Sequence, residues 1–232
     1  MTTNDFNTVM VISTINSMYG QFPPEVRFFH TIECLQSVKK HIPNCRILFA
    51  DNSNAHVKDE WRQEICKYAE IFYQVPHNLF SLSANMRVGT KSESEANMMY
   101  MALEMLKRSG MIGKRIFKIS GRYKISDTFD YSIYERPELE GKYTFVVTPM
   151  ASTEDNWMTK CTVMWLEQAL ISFAPENIDE LQNIMFGALA NMRRTGDCIE
   201  QVMFNYIPHE KIVPIQKAHI EGVKAEGGVV NH

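Results

Sequence analysis

Short runs that are apolar on every position alternate with longer stretches of three- and four-residue apolar spacing through the first half of the chain. Thr8-Val9-Met10-Val11-Ile12-Ser13-Thr14-Ile15 is continuously apolar at its centre, the pattern of a strand buried on both faces. Pro23-Pro24 predicts a helix start, and Val26, Phe29, Ile32, Leu35 and Val38 follow at steps of three to about Lys40. Arg46 to Asp51 predicts a second strand, 57–68 a helix, and Ile71 to Val75 a third strand closed by Pro76. Thr90 and Glu93 have capping-box spacing ahead of a helix to about Arg108, ended by Gly110 and Gly113. Arg115 to Ile119 then predicts a fourth strand. This βαβαβαβ order implies a mostly parallel, Rossmann-like sheet flanked by helices.

The second half is less regular. Tyr143 to Thr148 predicts a strand, and the spacing over 158–166 suits a strand or a helix equally. Asn177 with Glu180, and Asp197 with Glu200, predict two helix starts. The tail, 221–228, reads as a glycine-containing loop. The reading is one α/β domain over 1–232, with a ligand-binding half at 1–125 and a mixed half at 126–232.

Composition removes several classes. A formal net charge of −3 gives no basic excess for nucleic acid or an acidic membrane. Five scattered cysteines with no CxxC pair predict reduced thiols and a cytoplasmic protein. No apolar run approaches the roughly 20 residues of a membrane-spanning helix. There is no G-x-G-x-x-G after the first strand and no G-x-x-x-x-G-K-[ST], so dinucleotide dehydrogenases and P-loop NTPases fit poorly.

The candidate chemistry gathers at strand ends, where an open α/β sheet forms its ligand crevice. Lys118-Ile119-Ser120-Gly121-Arg122-Tyr123 places two cations and an aromatic edge around a small-residue turn, which suits a diphosphate; ordinary surface cations also fit. Thr14 and Asn16 end the first strand with hydrogen-bonding groups, or form a polar turn. Arg27 and Lys91 sit near helix starts, where a cation opposes the dipole unless an anion is bound. Asp51 suits a ribose or base contact, or an Asx-turn. Asp197 and Glu200, three apart, supply a candidate general base or a helix cap. Glu154 and Asp155 before Trp157 suit a sugar ring.

Taken in order, Val9 to Ile15, the helix with Arg27, the strand ending in Asp51, the helix from Lys91 and the Lys118–Tyr123 segment resemble the nucleotide-sugar half of GT-A-fold glycosyltransferases. Ile199 to Phe204, Ile220-Glu221-Gly222 and Gly227-Gly228 are similar to the acceptor-side helix and closing loop of small microbial and viral members. The resemblance implies transfer of a sugar from a nucleoside-diphosphate sugar to a hydroxyl acceptor such as a glycan. Thr14, Asn16, Arg27 and Asp51 then hold the nucleotide, and Lys91, Lys118, Ser120, Arg122 and Tyr123 line the donor site. Glu200 or Asp197 deprotonates the acceptor. The family's D-x-D for Mn²⁺ or Mg²⁺ is replaced here by Ser120-Gly121-Arg122. The charge is then carried by Lys118 and Arg122, or a metal is held by Asp130, Glu200 or His232. A nucleotidyltransferase and a non-catalytic nucleotide- or carbohydrate-binding module are the alternatives.

Overall fold

Four parallel strands in the order β3-β2-β1-β4 form the front of the sheet: β1 (Asn4–Ser13), β2 (Cys45–Asp51), β3 (Ile71–Gln74) and β4 (Gly113–Ser120). The structure, a computed structural model, describes residues 4–17, 22–53, 55–76, 91–150, 163–195, 197–223 and 229–231. Beyond β4 the sheet continues with antiparallel β8 (Leu170–Phe173), then β6 (Tyr143–Met150), which pairs with β7 (Val163–Leu166) and, in parallel, with β9 (Ile212–Ile215). Strands from both halves of the chain therefore share one sheet. The segment near 158–166 resolves in favour of strand from Val163.

The sheet is sandwiched. Val9, Val11, Ile47, Phe49, Phe117 and Ile119 pack towards α1 (Pro24–His41) and α2 (Asp59–Ile65). Met10, Ile12, Leu48, Ala50 and Ile116 pack towards α3 (Lys91–Ser109), α4 (Ile178–Thr195) and α5 (Ile199–Tyr206). The strict alternation explains why β1 is apolar at every central position: each residue faces one of two helical layers.

Two local expectations are corrected. Phe29 is 60% exposed, because three-residue steps drift around a helix with 3.6 residues per turn; Leu35 and Val38 reach the core and Phe29 precedes the drift. The last helix is capped by Cys198, whose N–H donates to Gln201 Oε1 at 3.3 Å. Asp197 lies one residue outside it and accepts from the Thr195 hydroxyl at 2.7 Å.

A second, three-stranded antiparallel sheet, β11-β10-β5, stands behind the turn after β4: β5 (Tyr123–Ile125), β10 (Ile220–Val223) and β11 (Val229–Asn231). Residues 221–223, read as loop, are strand. Gly222 faces Tyr123 across the ladder, and a Cβ there would lie 2.6 Å from the Arg122 carbonyl oxygen and closer still to Tyr123 Cδ1. Only glycine allows this approach. Gly222→Ala is expected to cost about 1–3 kcal/mol by overpacking against backbone, measured by urea denaturation; an unchanged midpoint would show that β10 does not hold the Arg122 turn.

Candidate functional site

The C-terminal edge of the parallel strands carries two polar clusters, one on each face of the sheet. They come from the same alternation that builds the core.

On the α1 face, Asp51 ends β2 fully buried. Its Oδ2 accepts the Ile15 N–H at 3.0 Å and its Oδ1 the Ser53 N–H at 2.9 Å. Burial raises its proton affinity, and these hydrogen bonds with the charge of Arg27 work the other way. Its carboxylate thus fastens the β1 and β2 exits together, the Asx-turn role, with its hydrogen bonds spent inside the protein. Asn16 belongs to the same fastening: its N–H donates to Ser53 Oγ at 2.8 Å and its side-chain amide to the His56 carbonyl at 3.1 Å. The Thr14 carbonyl accepts from Arg27 Nη1 at 2.7 Å. Arg27 is half-buried near the start of α1, and its Nε is buried without a partner among the described residues. Burial first, then the charge of Arg122, make its protonated form costly. His30, one turn on, has a buried Nδ1 without a partner, and burial lowers its proton affinity.

Gly121 brings Arg122 to this face. Its N–H donates to the Ile12 carbonyl at 2.8 Å, and a Cβ on it would stand 3.0 Å from Ser13 Cβ. Arg122 lies over the ring of Tyr123 with 5.7 Å from guanidinium carbon to centroid. Tyr123 itself is 8% exposed and packs in the core, a correction to its expected place as an aromatic edge of the crevice.

On the other face stands Lys118, fully buried among the largest core side chains. Its ammonium donates to Glu95 of α3 and to the Gln168 carbonyl. Lys118 shares its phase with Met10 and Ile116 and so points away from α1. The expected pairing of Lys118 with Arg122 on one diphosphate is therefore overturned: the strand sends one cation to each face. The Gln168 carbonyl reaches Lys118 because the chain bulges. Val147 pairs with Leu166, but Thr144 pairs with Ser172, leaving three residues looped out across 167–169.

Glu200, in the first turn of α5, completes this cluster. Burial raises its proton affinity, the nearby Glu95 carboxylate raises it further, and the Cys198 thiol and Lys118 pull it down. The Cys198 thiol is in turn pushed up to about 11, chiefly by burial. Asn52 extends the cluster: its amide donates to Ser94 Oγ of α3 at 2.8 Å. Two buried acceptors, Asn52 Oδ1 and Gln168 Oε1, have no partner among the described residues.

Of the remaining expected residues, Ser120 is half-buried and its N–H donates to the Ala169 carbonyl at 3.1 Å. Asp197 is spent on Thr195, outside the Glu200 cluster. Asp130 caps a short 3₁₀ turn through the Ser132 N–H at 2.9 Å. Lys91 opens α3, but its side chain, like Thr90, Glu154, Asp155, Trp157 and His232, lies outside the described residues. The position of the D-x-D holds no carboxylate or imidazole. No group of three or more His, Cys, Asp or Glu among the described residues is placed to hold a metal ion. Ser120-Gly121-Arg122 does not fit a divalent cation.

Glu95, Gln168 and His30 were not singled out from sequence as site residues. Glu95 was readable: it lies three and four residues before Met98 and Met99, on the inward stripe of its helix. Gln168 depends on a bulge that no local pattern announces.

No protein-family model matches the sequence, and no curated protein matches it. Solved structures do match in fold. The galactosyltransferase LgtC, in complex with donor and acceptor sugar analogs, aligns over 90% of this chain and 73% of its own with a TM-score of 0.53 and 7% identity. The bifunctional glycosyltransferase WbbM aligns over 93% of this chain and 39% of its own, at 0.51 and 8%. The 4-diphosphocytidyl-2C-methyl-D-erythritol synthase of Anaerococcus prevotii aligns over 91% and 86%, at 0.52 and 12%. The chain spans less than half the length of WbbM, and 46% of the glycosyltransferase GlyE of Streptococcus pneumoniae. The fold is the GT-A type of these glycosyltransferases, a Rossmann-like α/β sheet with a mixed second half. No helix among the described residues is long and apolar enough to cross a membrane.

If Lys118 is structural, Glu95→Ala leaves a buried ammonium short of its counter-charge. It should cost about 3 kcal/mol in chemical denaturation, whereas Lys118→Met, which removes the buried charge itself, should cost markedly less. Equal and small effects from both would return Lys118 to the ligand.

Proposed function

We propose that the chain is a glycosyltransferase, moving a sugar from a nucleoside-diphosphate donor to a hydroxyl acceptor. The observation that carries this reading is Glu200, held beside Glu95 and Lys118 at the carboxyl edge of the parallel strands. There its raised proton affinity suits it to accept a proton in a crevice. The acceptor hydroxyl gives its proton to the Glu200 carboxylate as its oxygen bonds to the sugar's anomeric carbon. The bond from that carbon to the diphosphate breaks, and the nucleoside diphosphate leaves with the electron pair. A single displacement of this kind inverts the configuration. Asp197, engaged with Thr195, is left out of the catalytic assignment. The free thiols of Cys34, Cys45, Cys66 and Cys198 fit a reducing compartment, and we read the cytoplasm as its place.

Nucleotidyl transfer is the second reading, favoured by the likeness to the diphosphocytidyl synthase. The two differ in what is released. Incubation with UDP-, GDP- and dTDP-sugars should yield nucleoside diphosphate if the first is right. Incubation with nucleoside triphosphates and a sugar phosphate should yield pyrophosphate if the second is right. Release of neither from any donor overturns both.

Glu200→Gln should lower transfer about 10²- to 10⁴-fold, the usual contribution of a general base. The same change should raise thermal stability at neutral pH. A carboxyl whose folded pKa lies above its unfolded value is destabilising once deprotonated, so removing it helps above its ordinary range. The gain should fade as pH falls through the ordinary glutamate range and vanish below it, where the wild-type group is protonated in both states. Thermal scans across pH with parallel product assays test this; full activity in the variant would exclude Glu200 as the base.

A further inference from the structure

We infer that Arg27 and Arg122, on the α1 face of the sheet edge, together bind the donor's diphosphate and take the place of a divalent ion. This rests on the nucleotide-sugar reading above and deepens it.

Neither guanidinium makes an ion pair among the described residues. Arg27 is anchored by one hydrogen bond to the Thr14 carbonyl, and its Nε is buried without an acceptor. Arg122 makes no side-chain hydrogen bond among the described residues, and its guanidinium carbon lies 5.7 Å from the Tyr123 ring centroid. Both arginines converge on the exit of β1, Arg27 through the Thr14 carbonyl and Arg122 through the Gly121 turn pressed on Ser13; the charge of Arg122 disfavours that of Arg27, and both also act on His30. The carboxylate that offsets Arg27, Asp51, is already committed to the Ile15 and Ser53 amides. Two like charges on half-buried side chains at one sheet edge, with no ion-pair partner among the described residues, are unfavourable until an anion joins them. Tyr123 packs into the core through its own ring.

The ligand class follows from the donors. A guanidinium presents a planar fork that matches adjacent phosphate oxygens, and two forks span two phosphates. A divalent ion would need carboxylates at the same turn, and the turn instead supplies Gly121, pressed on Ser13, and an arginine. The cations already occupy the role of neutralising the leaving group.

Titration calorimetry with UDP and GDP, in EDTA and separately in Mn²⁺, tests this, with sodium pyrophosphate as competitor. The expected result is binding in EDTA by at least one of the two, displaced by pyrophosphate, and weakened about 10- to 100-fold in Arg122→Ala, as for lost charge-assisted hydrogen bonds. Arg122→Lys should recover part of the loss. Arg122 makes no side-chain hydrogen bond among the described residues, so thermal scans should show the variants folded; Arg27→Lys, which keeps charge near Thr14, is the second probe. Binding only with Mn²⁺, or binding in EDTA indifferent to Arg122, overturns the inference while leaving sugar transfer standing. No binding of either nucleotide or of pyrophosphate under both conditions overturns it together with that reading.

Discussion

A lysine ammonium with no exposed surface sits in the middle of the sheet, and much of the site is arranged around its compensation. Lys118 cannot be left unpaired at that depth, because desolvating a charge costs several kcal/mol before any partner is counted. Glu95 and the Gln168 carbonyl meet the demand. Meeting it ties three distant parts of the chain to one point: the second turn of α3, the bulge between β7 and β8, and the C-terminal part of β4. Such a pair adds little net stability over a well-packed apolar substitute, yet it is costly to break. That asymmetry makes it a device of position more than of strength.

Glu200 inherits its properties from this arrangement. Glu95 is fixed by Lys118, so its charge faces α5 and raises the affinity of Glu200 for a proton. Lys118 acts in the opposite sense, which limits the shift. A carboxylate tuned this way is a by-product of neutralising a buried cation. The supporting residues are consequently as much part of the site as the carboxylate they tune.

The parallel half of the fold was legible because its strands are continuously apolar and its helices begin at Pro24 and end near Gly110. The short strands β5, β8, β9 and β10 were not: four residues or fewer carry no period, and β10 pairs with β5 through a close Gly222–Tyr123 approach that no local pattern announces. Within the candidate site, the pairing of Lys118 with Arg122 was misread. Residues 118, 120 and 122 share a phase only while the chain stays extended. The strand ends at Ser120, and the Gly121 turn against Ser13 rotates Arg122 to the opposite face. Asp51 shows the same limit. Its position at the strand end was readable, but the choice between ligand and loop was made by two backbone amides, Ile15 and Ser53, that only the fold brings within reach.

Separation of charge across the sheet edge has a consequence for the chemistry. Were Arg27 and Arg122 on the same face as Glu200, their fields would stabilise its carboxylate and lower its affinity for a proton. The sheet keeps them apart, with the two arginines on the α1 face and Glu95 and Glu200 on the α3 and α5 face. An anionic leaving group and a hydroxyl that must lose a proton make opposite demands on their surroundings, and one crowded pocket meets both poorly. Two clusters divided by the thickness of one β-strand would meet them separately, and in the proposed transfer the reacting bond would sit at the rim between them.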